Sequence, residues 1–202
     1  MTPQIREVSV TERLRHIAKP VLNVVAGGLL AIGITPNAAT IIGAIGNVSA
    51  AVLIATGFLT WGGLAALFWV LFDAVDGTMA RISQRSSKTG AFLDSTLDRY
   101  VEFFLLTGLV WYFITAQNSL GIMLGMITFA GSIFVSYTRA RAEGLGLECK
   151  VGILTRVERF MILIPALIFH LPILGLIIMA VLTHVTALQR MVYVIQQARN
   201  PQ

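Results

Sequence analysis

Asp73-Ala74-Val75-Asp76-Gly77-Thr78-Met79-Ala80-Arg81, then eight residues to Gly90, three to Asp94 and three more to Asp98, is the stretch around which the chain is organised. Four carboxylates, two glycines and an arginine recur at fixed offsets across two apolar segments. An ionisable side chain inside a bilayer is costly and is read first as functional. On a helix, Asp73 and Asp76 (i,i+3) share a face, as do Asp94 and Asp98 (i,i+4). The turn between the two segments, residues 83–89, is short, so the helices are antiparallel neighbours and their acidic faces converge near one end. Four carboxylates at close quarters do not all ionise without compensating cations. Two divalent ions balance their charge, and ligation by carboxylates alone selects Mg2+ or Mn2+ over zinc.

Outward from that stretch, the 202-residue chain is 56% hydrophobic and 12% charged, with mean hydropathy +0.79. A soluble domain carries about 25% charge, so the composition predicts an all-α integral membrane protein, taken as one domain over residues 1–202. Residues 10–33 mix charge with apolar positions and read as an amphipathic helix lying at the membrane interface. Thr35-Pro36-Asn37 restarts the chain. Six transmembrane helices are then expected between residues 37 and 197: 37–58, 61–82, 91–114, 120–142, a fifth from Thr155 to about His170, and 173–197. Thr155 and Glu158 have the spacing of a capping box at the start of the fifth. The lone Cys149 reads as a packing thiol.

The distribution of charge supports this layout. All 15 basic and 10 acidic residues fall on one side of a six-span arrangement, while the opposite turns (56–62, 115–119 and 169–173) contain none. The positive-inside rule makes the charged side cytoplasmic and places both termini there, in the cell membrane. The net charge of +5 then reports membrane orientation, and no nucleic-acid partner is expected. Twelve residues, Trp61 to Phe72, precede Asp73. At 1.5 Å of rise each they span roughly 18 Å of a core about 30 Å thick, which puts Asp73 in the cytoplasmic half.

The other small and polar residues of the stretch point to phosphate. Gly77 and Ala80 leave room on the Asp76 face for a ligand, Arg81 is a fixed cation suited to a pyrophosphate, and Ser87 offers a hydroxyl in the turn. A second basic group, Arg139, Arg141, Lys150, Arg156 and Arg159, with Arg190 further on, suits an acceptor that carries its own phosphate. A divalent-cation transporter would also use buried carboxylates, but it needs polar groups along a path to the far side, and the Trp61–Phe72 run supplies none.

The spacing D-x2-D-G-x2-A-R-x8-G-x3-D-x3-D, met at every fixed position, resembles the signature of the CDP-alcohol phosphotransferases. The resemblance implies a homodimer that moves the phosphatidyl group of a CDP-linked lipid such as CDP-diacylglycerol to an alcohol, with release of CMP. It implies that Asp73, Asp76, Asp94 and Asp98 ligate the metals and that Asp98 is also the base. Asn37, Thr40, Gly77, Ala80, Arg81 and Ser87 are then donor-nucleotide contacts. Ser136 to Glu143, Gly152 to Arg159 and Leu93 to Arg99 resemble the inositol-phosphate-using branch, in which Arg139, Arg156, Arg159 and Arg190 correspond to the acceptor-phosphate pocket. Glycerol 3-phosphate is the alternative acceptor, disfavoured by Arg99 where glycerol-phosphate enzymes usually have lysine.

Overall fold

Proline has no backbone N–H to give to a preceding turn, so Pro36 opens a helix rather than continuing one. Thr35 before it is extended, and its hydroxyl accepts a hydrogen bond from the Ala38 amide at 3.2 Å. The computed structural model describes residues 10–84 and 87–199, with side chains described from residue 20 onward. Among the described residues there are seven helices and no strand: α1 (Val10–Ala31), α2 (Pro36–Ala55), α3 (Leu59–Ile82), α4 (Lys88–Thr115), α5 (Ser119–Glu143), α6 (Arg156–Ile168) and α7 (Pro172–Arg199).

Short polar residues set the other starts as they set α2. The Ser87 hydroxyl accepts from the Gly90 amide at 3.0 Å to open α4, and the Asn118 side chain accepts from Gly121 at 2.9 Å to open α5. Such caps satisfy amides that have no partner within the helix. Thr155 does precede α6, but it caps no backbone amide; its hydroxyl bonds the Glu158 carboxylate instead. The expected pattern thus marks the correct boundary with a different hydrogen bond.

Four of the helices, α2, α3, α5 and α7, are long and apolar enough to cross a membrane, and the chain is an all-α integral membrane protein. The six-span reading meets that measure at four places, for two separate reasons. Helix α6 has only 13 residues, a rise of about 20 Å. Helix α4 has 28, but its first 15 residues, to Glu102, carry Lys88, Asp94, Asp98, Arg99 and Glu102. Its charges belong to the site, and they lower its hydropathy.

The core lies where α2, α3, α4 and α6 meet α7, around Ile54, Leu105, Leu109, Leu163, Leu167, Leu176 and Met179, all fully buried. In lipid, close packing of this kind holds helices together, since the tails are as apolar as leucine. Trp61, Phe68, Leu71, Val181 and Leu188 point outward and are exposed.

Two helical faces position the acids. On α3, Val75 and Met79 are buried against α1 and α2 in a small cluster with Ala26 and Ala39. At 100° per residue, this leaves Asp73, Asp76, Gly77 and Ala80 together on the opposite arc. On α4, Asp94, Asp98 and Glu102 continue, at intervals of four, the stripe that further along is Leu105 and Leu109. The inward face of α4 is therefore acidic at one end and apolar at the other.

Candidate active site

Asp73, Asp76 and Asp94 each present a carboxylate oxygen, and these oxygens lie within 4.8 Å of one another. Helices α3 and α4 each pack along α2, with little direct contact between them, and their acidic side chains reach toward each other beside that shared neighbour. The acids converge as expected, but not through the direct helix packing that the short turn implied. Asp76 is 7% exposed, and its Oδ2 accepts from the Thr40 hydroxyl of α2. That hydroxyl is also within 3.1 Å of the Pro36 carbonyl, so the first turn of α2 is tied to the acid it faces.

Asp98 joins the cluster through Arg156. One guanidinium nitrogen, Nη1, lies 2.6 Å from Asp98 Oδ1 and 3.0 Å from Asp73 Oδ2. Arg99 Nη1 approaches the other Asp98 oxygen at 3.4 Å and gives its stronger bond, 2.7 Å, to the Ser95 carbonyl. Asp98 is 8% exposed.

Beside the acids opens a cleft of about 210 Å3 lined by Pro36, Asn37, Thr40, Asp76, Gly77, Ala80, Ser87, Gly90, Ala91 and Asp94. Two glycines shape it. A Cβ at Gly77 would meet no atom within 4 Å, so that stretch of α3 backbone borders open space. A Cβ at Gly90 would sit 3.0 Å from Asn37 Oδ1 and 3.2 Å from Ser87 Oγ, so any larger residue would press on the two polar side chains that line the cleft. Five of the six residues read as donor contacts (Asn37, Thr40, Gly77, Ala80 and Ser87) line this one cleft. Arg81 is exposed just outside the lining and donates to Thr78 Oγ1 at 2.9 Å.

The four arginines read as an acceptor pocket occupy four different settings. Arg156 lies among the acids. Arg159 is 3% exposed and forms a two-pronged pair with Glu102 (2.6 and 3.0 Å) while also donating to the Leu154 carbonyl at 3.3 Å. Arg190, equally buried, donates to the carbonyls of Val151 at 2.9 Å and Val135 at 2.6 Å, pinning the α5–α6 loop to α5. Arg139 is exposed and pairs with Glu143 at 2.8 Å. Glu102 thus bonds Arg159 across two helices, not the neighbouring Arg99. Its partner lies 57 residues away, a distance no local spacing rule reaches. Pro36 and Ala91 in the cleft wall also went unread, since neither carries a reactive group. Cys149 is buried, in keeping with a packing role.

The set fits a hard divalent cation. All its donors are carboxylate oxygens, three of them near enough to close on one ion with small side-chain rotations. The neighbouring cleft has a threonine and a serine hydroxyl, an asparagine and a bare backbone edge, groups suited to a phosphate ester.

An all-helical membrane protein with this acidic pair of helices belongs to the CDP-alcohol phosphatidyltransferase family, whose profile matches residues 33–189. It is a metal-dependent transferase of that family. Among curated relatives, the phosphatidylinositol phosphate synthase of Mycobacteroides abscessus is 37% identical over 157 residues, covering 77% of this chain and 71% of its own. The archaetidylinositol phosphate synthase of Methanothermobacter thermautotrophicus is 36% identical over 156 residues, covering 74% and 71%. The fold is similar to crystal structures of the Mycobacterium tuberculosis phosphatidylinositol phosphate synthase. The form with CDP-DAG bound gives a TM-score of 0.81 at 33% identity, covering 87% of this chain and 94% of that one. A second form, in complex with manganese and citrate, gives 0.81 at 32%, covering 86% and 88%.

Proposed function

We propose that this protein transfers the phosphatidyl group of CDP-diacylglycerol to a hydroxyl of inositol phosphate, giving phosphatidylinositol phosphate and CMP. The observation that carries the reading is the convergence of Asp73, Asp76 and Asp94 beside a cleft whose walls are Asn37, Thr40, Gly77, Ala80 and Ser87. The names of the relatives agree with it, and the archaeal one makes a CDP-linked ether lipid the second donor to consider.

In this reading the cleft residues and Arg81 hold the nucleotide and its pyrophosphate, while Thr40 keeps the Asp76 carboxylate turned toward them. Asp73, Asp76, Asp94 and Asp98 hold two Mg2+ or Mn2+ ions, which when bound neutralise the pyrophosphate charge and favour departure of CMP. Asp98 takes the proton from the acceptor hydroxyl as its oxygen bonds to the phosphatidyl phosphorus. The bond from that phosphorus to CMP breaks, and CMP leaves with the electron pair. Arg156 and Arg139 meet the acceptor's phosphate, with Arg159 and Arg190 holding the surrounding loop and adding positive field.

The same reading has residues 1–202 as one domain, with α2 to α7 as six spans. The 13-residue α6 is completed by the extended segment before it, and α1 lies at the interface. The site and both termini face the cytoplasm, because the connections 56–58, 116–118 and 169–171 carry no charge while those on the other side do. The protein works as a homodimer.

The test supplies purified protein with CDP-diacylglycerol and, in separate reactions, inositol phosphate, inositol, glycerol 3-phosphate or serine, and measures CMP release. Inositol phosphate is expected to support the fastest release. Preference for glycerol 3-phosphate would transfer the assignment to the alternative acceptor, and release with none of them would end it.

A further inference from the structure

The two arginines that open α6 differ in a way the proposed chemistry does not account for. Arg159 is locked, with its side chain 4% exposed and three nitrogens engaged by Glu102 and the Leu154 carbonyl. Arg156 is not. Its side chain is 25% exposed, it uses a single nitrogen to bridge Asp73 and Asp98, and its Nε is buried without a hydrogen-bond partner. The guanidinium lies over the Phe160 ring, 5.4 Å from the centroid, a surface along which a flat cation slides without losing a directed bond. It sits on the first residue of its helix, so the side chain swings without displacing a neighbouring turn.

The oxygens Arg156 engages are ones the proposed metals need. Asp73, Asp76 and Asp94 retain oxygens for one ion. A second ion drawing on Asp73 Oδ2 and Asp98 Oδ1 meets a fixed positive charge already seated between them. Both cations compete for the same acceptors, and their like charges repel at this distance.

We propose that Arg156 is a built-in counter-cation that competes with the second divalent ion for Asp73 and Asp98, and that a phosphate on the acceptor draws it away. This rests on the reading of the site given above. Its consequence is an order of assembly. The first ion binds beside the donor cleft with Arg156 in place. The acceptor phosphate, a dianion offering several acceptor oxygens, takes the guanidinium and so opens the second position. By linkage, the acceptor phosphate tightens the second ion as much as that ion tightens the acceptor. Until an acceptor is present, Asp98 is held by an arginine rather than free to act as a base, which protects the donor from water.

The experiment measures Mn2+ binding to the purified protein in nanodiscs by electron paramagnetic resonance, without donor or turnover. Wild type is compared with Arg156→Ala and Arg156→Gln, the second retaining hydrogen bonding at a half-buried position. Each is titrated alone, with inositol phosphate, and with neutral inositol. The wild type is expected to bind one ion tightly and a second more weakly. Inositol phosphate should tighten the second roughly five- to hundredfold, the range of ordinary site-to-site coupling, and inositol should not. In both variants the second ion should bind tightly from the outset, with the phosphate effect lost. Coupling that survives undiminished in the variants would mean that the phosphate ligates the metal directly, and would overturn the proposal. Equal second-site affinity in wild type and variants would overturn it too. Absence of any Mn2+ binding in wild type would instead remove the metal-site reading on which it rests.

Discussion

Asp98→Asn is expected to lower the rate of CMP release by about 10²- to 10⁴-fold, the usual worth of a positioned general base, while binding of the CDP-linked lipid changes little. The substitution preserves shape and leaves an amide oxygen for Arg156, which approaches Asp98 Oδ1 at 2.6 Å. It removes the charge and basicity that the acceptor hydroxyl needs. The donor cleft is lined by Asp76 and Asp94 and not by Asp98, so donor affinity is the control that separates lost chemistry from a collapsed site. Turnover in a rapid-quench assay and lipid binding by equilibrium competition are the two readouts. Wild-type turnover would remove Asp98 from its role as base, and parallel loss of donor binding would recast it as a residue of the donor site.

The second large effect is on stability. Glu102→Ala strands the Arg159 guanidinium, which is 3% exposed and would keep only its 3.3 Å bond to the Leu154 carbonyl. Breaking a buried pair by removing one partner costs about 3–5 kcal/mol, whereas replacing both partners with well-packed apolar groups is often neutral. Thermal unfolding in detergent should show a strong loss for Glu102→Ala, and the double change Glu102→Leu, Arg159→Met should recover most of it. The pair joins α4 to α6 and so sets where Arg156, three residues before Arg159, reaches the acids. A melting temperature unchanged in the single variant would show that the pair contributes nothing to holding those helices together.

The parts of this site legible in the sequence were those governed by local periodicity. The i,i+3 and i,i+4 spacings put Asp73 with Asp76 and Asp94 with Asp98, so each acidic pair followed from helix geometry. The two pairs meet because α3 and α4 both pack on α2, which no local spacing shows. The Thr35-Pro36 restart followed from proline's missing donor. The Glu102–Arg159 pair and the Thr40–Asp76 bond were not legible as contacts, because each joins residues far apart in sequence, 57 and 36 positions. Arg190 was read with the acceptor-phosphate arginines; its two carbonyl partners on α5 and the following loop arise only from tertiary packing. The bounds of α6, Arg156–Ile168, fall within two residues of the expected helix from Thr155 to about His170, but a helix of 13 residues rises only about 20 Å, so it falls short of the measure of a span.

The central claim is that carboxylates of α3 and α4 hold the divalent cations on which phosphatidyl transfer depends. Its most direct test is CMP release from CDP-diacylglycerol and inositol phosphate by protein stripped with a chelator, before and after Mg2+ or Mn2+ is restored. The account predicts no release from stripped protein and full recovery with either ion. Undiminished release from the stripped protein would contradict it.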